Sequence, residues 1–191
     1  MGLVEMGVDN FKKNFDGGTR PNRFVVTGEI GGNGNTTPMN NLYVKAASMP
    51  SSTMGIIQVP FRGRVIKLPG DRAYPEWTIT LLDENTNDFR VAFEQWNEAF
   101  NSHADNISGE QAGGLDLTDT NLFTQWSVSQ LDMQGDVIRT TILHNCWPVE
   151  VGAVDLTYDA ADTLTEYSIT LSYDYIDVSN EQSPGALGDA I

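Results

Sequence analysis

Two histidines, a single cysteine and twenty-six carboxylates are the side chains of this sequence best suited to chemistry. His103 falls in a polar, glycine-containing stretch and His144 in an alternating one. Neither has a second ligand at a metal-binding spacing such as His-x-x-x-His. Cys146 lies between Asn145 and Trp147, where a small buried hydrophobe is a better reading than a nucleophile. One cysteine allows neither an intrachain disulfide nor a zinc site built on cysteine pairs. Gly31-Gly32-Asn33-Gly34 opens no helical pattern, so it reads as a turn rather than a phosphate cradle. The acids around Asp116 and Asp119, and around Asp159 and Asp162, have oxygens for calcium. Neither pair matches the spaced D-x-[DN]-x-[DN]-G loop, and turn-forming or solvated acids is the better reading. Carboxylate pairs for glycoside hydrolysis are set by space rather than by sequence, and nothing singles out a pair. The expectation is a non-enzymatic chain with no catalytic, metal or cofactor-binding residues and no cofactor.

The elements that would position any site follow from composition and periodicity. With 191 residues and 40% hydrophobic content, the chain suits one globular domain with a proper core. No apolar run approaches the roughly 18 residues of a membrane helix. Met1 to Gly18 alternates apolar and charged residues, so no secretory signal is expected and a reducing cytoplasm is the simplest place of synthesis. The net charge of -15 argues against a protein that grips phosphates. Its distribution is uneven. Residues 1–80 hold nine Lys/Arg against six Asp/Glu (net +3), and residues 81–191 hold two against twenty (net -18). The basic and acidic parts could meet between copies or inside one monomer.

Along the chain, Val8, Phe11 and Phe15 share a helical face within Met6 to Asp16. Arg23 to Ile30 alternates as a strand broken by Gly28, and Gly31 to Asn41 is a loop expected to turn a hairpin into Leu42 to Ala47. Ser48 to Gly70 is punctuated by prolines yet carries Met54, Ile56, Ile57, Val59 and Phe61. This predicts a long hairpin with an irregular, apolar tip at Met54 to Ile57. Trp77, Ile79 and Leu81 define a strand, and Phe89, Phe93, Trp96 and Phe100 form the stripe of an amphipathic helix ending near Asn101. Leu122 to Leu131 and Val137 to Asn145 flank a glycine turn as a hairpin, with Pro148 ending the second strand. A further hairpin is expected from Ala153 to Tyr158 and Leu164 to Ile176, with Tyr167, Ile169, Leu171, Tyr173 and Tyr175 on one face. Trp77, Phe93, Trp96 and Trp147 are assigned to the core. The tally is about eight strands and one long helix in a mainly antiparallel β-domain over 1–177, followed by a tail over 178–191.

Three blocks together resemble the tail tube protein family of contractile-tailed, myovirus-type bacteriophages. They are Arg20-Pro21-Asn22-Arg23-Phe24; Pro69-Gly70-Asp71-Arg72 through Trp77 and Thr80, with the helix to Trp96; and Cys146-Trp147-Pro148-Val149-Glu150-Val151-Gly152 through Tyr158 to Tyr175. The resemblance covers about residues 8 to 177. It implies an antiparallel β-sandwich or half-barrel with one flanking α-helix and a long protruding hairpin, closing into a ring-shaped barrel on oligomerisation. It further implies hexameric rings that stack into a tube delivering genome, with DNA passing through the lumen without specific binding. The implied partners are copies of itself, the sheath, tape-measure, baseplate and terminator proteins, with no membrane, in a virion assembled in the host cytoplasm. The baseplate tube initiator belongs to the same family and stays open as an alternative. A carbohydrate-binding β-sandwich module is the alternative from another class. The loops over 28–41 and 103–121 and the C-terminal tail look longer than a minimal member needs.

On this reading Met54, Ile56, Ile57, Arg62, Arg64 and Lys67 are the inter-ring stacking candidates. Leu42 to Ala47, Phe61 to Leu68, Gln125 to Leu131 and Val137 to His144 are expected to line the channel. Asp71 and Arg72 are expected to hold the turn before Trp77. A negatively charged bore would repel DNA phosphates.

Overall fold

The computed structural model describes residues 8, 12, 18–32, 36–39, 41–102, 120–159 and 162–179. The helix expected over 6–16 lies outside them except for Val8 and Lys12, both helical, and most of the loop around His103 and of the tail lies outside them too. Besides those two helical positions, the described residues form ten strands, one α-helix and a 3₁₀ turn. β1 (Phe24–Ile30), β2 (Thr37–Pro38) and β3 (Val44–Ala47) lead to β4 (Thr53–Phe61), β5 (Arg64–Ala73) and β6 (Trp77–Leu82). After α1 (Asp88–Phe100) come β7 (Thr124–Leu131), β8 (Val137–Val151), β9 (Glu166–Ser172) and β10 (Tyr175–Ser179). The body is one antiparallel sheet in the order β2-β1-β7-β8-β9-β6-β3, with β10 also on β8. β4 and β5 pair only with each other.

β8 organises the body. Pro148 does not end it: the strand runs for fifteen residues. From Val137 to Cys146 it pairs with β7, and from Trp147 onwards with β9. Between these parts Asn145 takes φ 56, a left-handed conformation that asparagine tolerates better than most residues. The ladder is thereby passed from one half of the sheet to the other. Irregular register at Pro148/Glu150 accommodates the proline in the ladder. β6 and β7 then face each other across the core, with Trp77 and Trp126 edge to face at 6.1 Å.

The helix covers the open side. Phe93 and Trp96 are fully buried, with Phe93 6.1 Å from Trp126. Phe89 packs on Tyr43, and Phe100 on Phe123 and Trp147. Trp147 itself is half-buried at the margin rather than inside. At the helix start the Glu84 carboxylate accepts the Phe89 N–H at 3.0 Å, filling one of the unpaired donors of the first turn.

Several connections differ from the sequence reading. The loop after β1 does not return as a hairpin into β3. It makes the short β2, then a 3₁₀ turn over Asn41–Tyr43, and β3 pairs with β6 instead. The turn seals part of the β1 edge: Val26 N–H donates to Asn41 Oδ1 at 2.7 Å and Met39 N–H to the Gly28 carbonyl at 2.8 Å. Nor does a hairpin form from 153–158, which contains no strand. The long last strand is broken at Tyr173–Asp174 because β10 crosses back to the first part of β8. Asp174 fixes the crossing, its N–H donating to the His144 carbonyl while its carboxylate accepts from Asn145 Nδ2. Tyr167, Ile169, Leu171 and Tyr173 keep the buried face, whereas Tyr175 leaves it and stacks on His144 at 4.5 Å.

Gly28 breaks the alternation of β1 for a packing reason. A Cβ there would lie 2.2–2.7 Å from the indole carbons of Trp126. Gly28→Ala is expected to destabilise the monomer by about 1–3 kcal/mol through overpacking. Urea unfolding followed by tryptophan fluorescence reads the shift in midpoint, and an unchanged midpoint contradicts it.

Candidate assembly surfaces

The connection from β3 to β6 could be a short turn, but here it is a projecting arm. β4 and β5 are nine and ten residues long, and about 30 Å of ribbon follows from roughly 3.3 Å per residue. The turn uses two residues, Arg62 at φ 46 and Gly63 at φ 80. Two positive φ angles in sequence are those of a type I′ hairpin turn, whose twist matches the strands. All arm residues are exposed except Gly70, which is half-buried.

One face of the arm is apolar and the other mixed: the register puts Ile57, Val59, Phe61, Ile66 and Leu68 on one side, and Ile56 and Val65 with Gln58 and Lys67 on the other. Ile56, Ile57, Val59, Phe61, Val65, Ile66 and Leu68 are all exposed, and neighbouring residues in a strand point to opposite faces. The apolar run Met54 to Ile57 is not at the tip as expected. Met54 stands opposite Arg72 near the base and Ile57 opposite Leu68 farther out. Arg62, Arg64 and Lys67 occupy the distal half, with Arg62 5.5 Å from the Phe61 ring. Asp71 and Arg72 do not make the turn before Trp77; they lie in β5. The arm is fastened at its root. Trp77 Nε1 donates to the Ser48 carbonyl at 2.6 Å, Tyr173 O–H donates to the Ser51 carbonyl at 3.3 Å, and Tyr74 packs on Tyr173.

Of the four segments expected to line a channel, two meet as the β7–β8 hairpin. Leu42 to Ala47 belongs to the far end of the sheet, and Phe61 to Leu68 to the arm. Besides the two-residue β2, the strand missed in the sequence is β10, which pairs with β8 on one side and has no strand on its other edge among the described residues. The break at Asp174 was the signal that could have revealed it. Strand alternation puts Thr27, Ser127, Ser129, Thr140, His144 and Asp177 on the face of this part of the sheet that points away from the core. Thr27 and Ser127 share a 2.6 Å hydrogen bond, and Ser129 and Thr140 one of 2.9 Å. That face mixes these hydroxyls with Val25 and Ile142, and carries Glu29 and Asp177 as strand carboxylates.

The reactive side chains do not converge. His144 Nε2 lies 3.1 Å from Asp177 Oδ2, and His103 is outside the described residues. Burial pushes the Cys146 thiol up to about 12, far from the thiolate form a nucleophile needs. No group of three His, Cys, Asp or Glu side chains among the described residues could hold a metal ion. Asp132 is structural: its Oδ1 accepts the N–H groups of Gln134, Gly135 and Asp136, closing the β7–β8 turn. The Asp136 hydrogen bond is the largest of the influences that hold its carboxyl below the usual range.

The family model for phage tail tube proteins matches residues 19–178. The chain belongs to that family. Tail tube protein relatives include gp19 of Enterobacteria phage T4, 26% identical over 173 residues, 89% of this chain and 99% of the relative. The tail tube protein of Serratia phage KSP90 is 26% identical over 132 residues, 69% of this chain and 71% of the relative. Similar folds occur in the anti-feeding prophage baseplate (TM-score 0.63, 12% identity, 88% of this chain and 100% of that one). Another is in the sheath–tube complex of the PVC extracellular contractile injection system (TM-score 0.55, 14% identity, 91% and 98%). The tail tube family places this chain among structural components of the phage virion, and the solved structures share its antiparallel β-fold.

A buried thiol with this pKa is expected to resist iodoacetamide in mildly alkaline buffer while the tail tube chain is folded, and to react when urea unfolds it. Mass spectrometry distinguishes the two. Rapid alkylation of native protein would contradict the assignment of Cys146 to the core.

Proposed function

We propose that this tail tube protein is the repeating subunit of the tube, forming hexameric rings that stack into the conduit for the genome. The observation that supports it best is the arm. A lone two-stranded ribbon is marginal in water, and exposed apolar patches of this kind mark association surfaces. Here apolar side chains on both faces stand clear of the body, so the bulk of their burial must come from other chains. Met54, Ile56, Ile57, Arg62, Arg64 and Lys67 are proposed to bear the inter-ring contacts. The edge of β10 that meets no strand among the described residues is suited to extending the sheet into a neighbour within a ring, which removes the edge. The body is a bent, open sheet; closure into a barrel belongs to the assembled ring.

The proposed partners are further copies of the chain, the sheath outside, the tape-measure protein inside, and baseplate and terminator proteins at the ends. DNA crosses the lumen without sequence-specific contact. No enzymatic step or cofactor is invoked, and assembly is placed in the host cytoplasm before incorporation into the virion.

Purified protein is expected to form rings and then tubes of uniform bore in negative-stain electron microscopy as concentration rises. Ile56→Asp puts a charge into the proposed contact and is expected to leave short stacks or single rings. Tubes of normal length and yield from Ile56→Asp would remove this residue from the stacking surface.

A further inference from the structure

The sheet register fixes where the arm lies relative to a second unusual surface. In the β6–β9 pair, Trp77 is opposite Leu171 at one end and Leu82 is opposite Glu166 at the other. The arm is attached at the Trp77 end, where β3 also finishes, Ala47 being opposite Ile79. The connection from β8 to β9 leaves from the Leu82 end, since Val151 is opposite Ile169. The start of the α1 connection is tied to it there, Asp83 N–H donating to the Thr165 carbonyl at 2.9 Å. Arm and β8–β9 connection therefore emerge from opposite poles of the body.

That connection is apolar where a solvated loop would be polar. Leu156 is 85% exposed, Tyr158 fully exposed and Leu164 71% exposed. Between and beside them stand Asp155, Asp159 and Asp162. The nearby cations are already engaged. Lys45 pairs with Glu166, and Arg90 with Glu94 and the Gly152 carbonyl. The arm has the complementary make-up: apolar side chains with Arg62, Arg64, Lys67 and Arg72 against the single acid Asp71.

We propose that the β8–β9 connection is the seat for the arm of a second copy of this chain, resting on the tube reading above. Leu156, Tyr158 and Leu164 meet the apolar side chains of the arm. Asp155, Asp159 and Asp162 meet its distal cations. The contact joins unlike surfaces on opposite poles, so a copy joined through its arm still offers its seat to the next. Such a head-to-tail contact extends without closing, as stacking along a tube requires. Charge complementarity orients the approach and rejects arm-to-arm or seat-to-seat encounters.

Two experiments on the full chain test this. Asp155→Lys with Asp159→Lys, and separately Arg62→Glu with Arg64→Glu, are each expected to abolish stacking beyond single rings while circular dichroism stays native. All four changes in one chain are expected to restore tubes. Loss in both double variants without restoration, or normal tubes from either, overturns the pairing. Independently, a chain carrying Arg64→Cys and Asp159→Cys is expected to give a disulfide ladder on a non-reducing gel when its tubes are oxidised, Cys146 being too buried to compete. Tubes without a ladder overturn the seat. Failure of the unaltered protein to form tubes at any concentration removes the reading on which the seat rests.

Discussion

Backbone hydrogen bonding along β8 is the constraint on which the molecule depends. Its first part is bonded to β7 and β10, and its last part to β9. The change of partner occurs at one left-handed residue, Asn145. Both halves of the sheet inherit their relative placement from this strand. The Trp77–Trp126 contact can form only because β8 carries its neighbours round to face each other. The same ladder sends the arm and the β8–β9 connection to opposite poles. A one-residue slip in such a ladder would turn buried residues such as Ile169 and Leu171 outwards, so the large apolar core locks the geometry of the surface.

The arm shows a different balance. At about 25 cal/mol per Å² of apolar surface removed from water, the body gains by folding, whereas the arm leaves its side chains wet. Its own ladder, the type I′ turn and the clasp of Trp77 and Tyr173 at its root keep it extended. The resulting strand pair is presented ready-made. A partner therefore gains its contact without first ordering a disordered segment, which lowers the entropic cost of association.

Local patterns made much of the fold legible. The helix stripe from Phe89 to Phe100, the alternation of Trp77, Ile79 and Leu81, the β7–β8 hairpin and the burial of Cys146 all follow from side-chain period and turn chemistry. What failed was non-local. Pro148 looked like a strand end because proline lacks a donor, but an irregular register tolerates it. Tyr175 continued a perfect alternation, but Asp174 bonds back to Asn145 and His144 and turns the chain onto another strand. The arm was visible as a conflict between apolar content and proline punctuation. Its tip was misplaced because two positive-φ residues, one of them arginine, carry the turn rather than the apolar run. No local pattern states which pole a loop leaves from; that depends on register.

Unlike poles have a consequence for growth. A filament of copies joined head to tail has a direction, and its two ends expose different chemistry. Under the proposed stacking, one end would display cationic ribbons and the other acidic loops with exposed leucine and tyrosine. Under that arrangement, proteins that bound the two ends would meet surfaces of opposite charge. In the proposed stacking, every added copy renews the surface it has just covered.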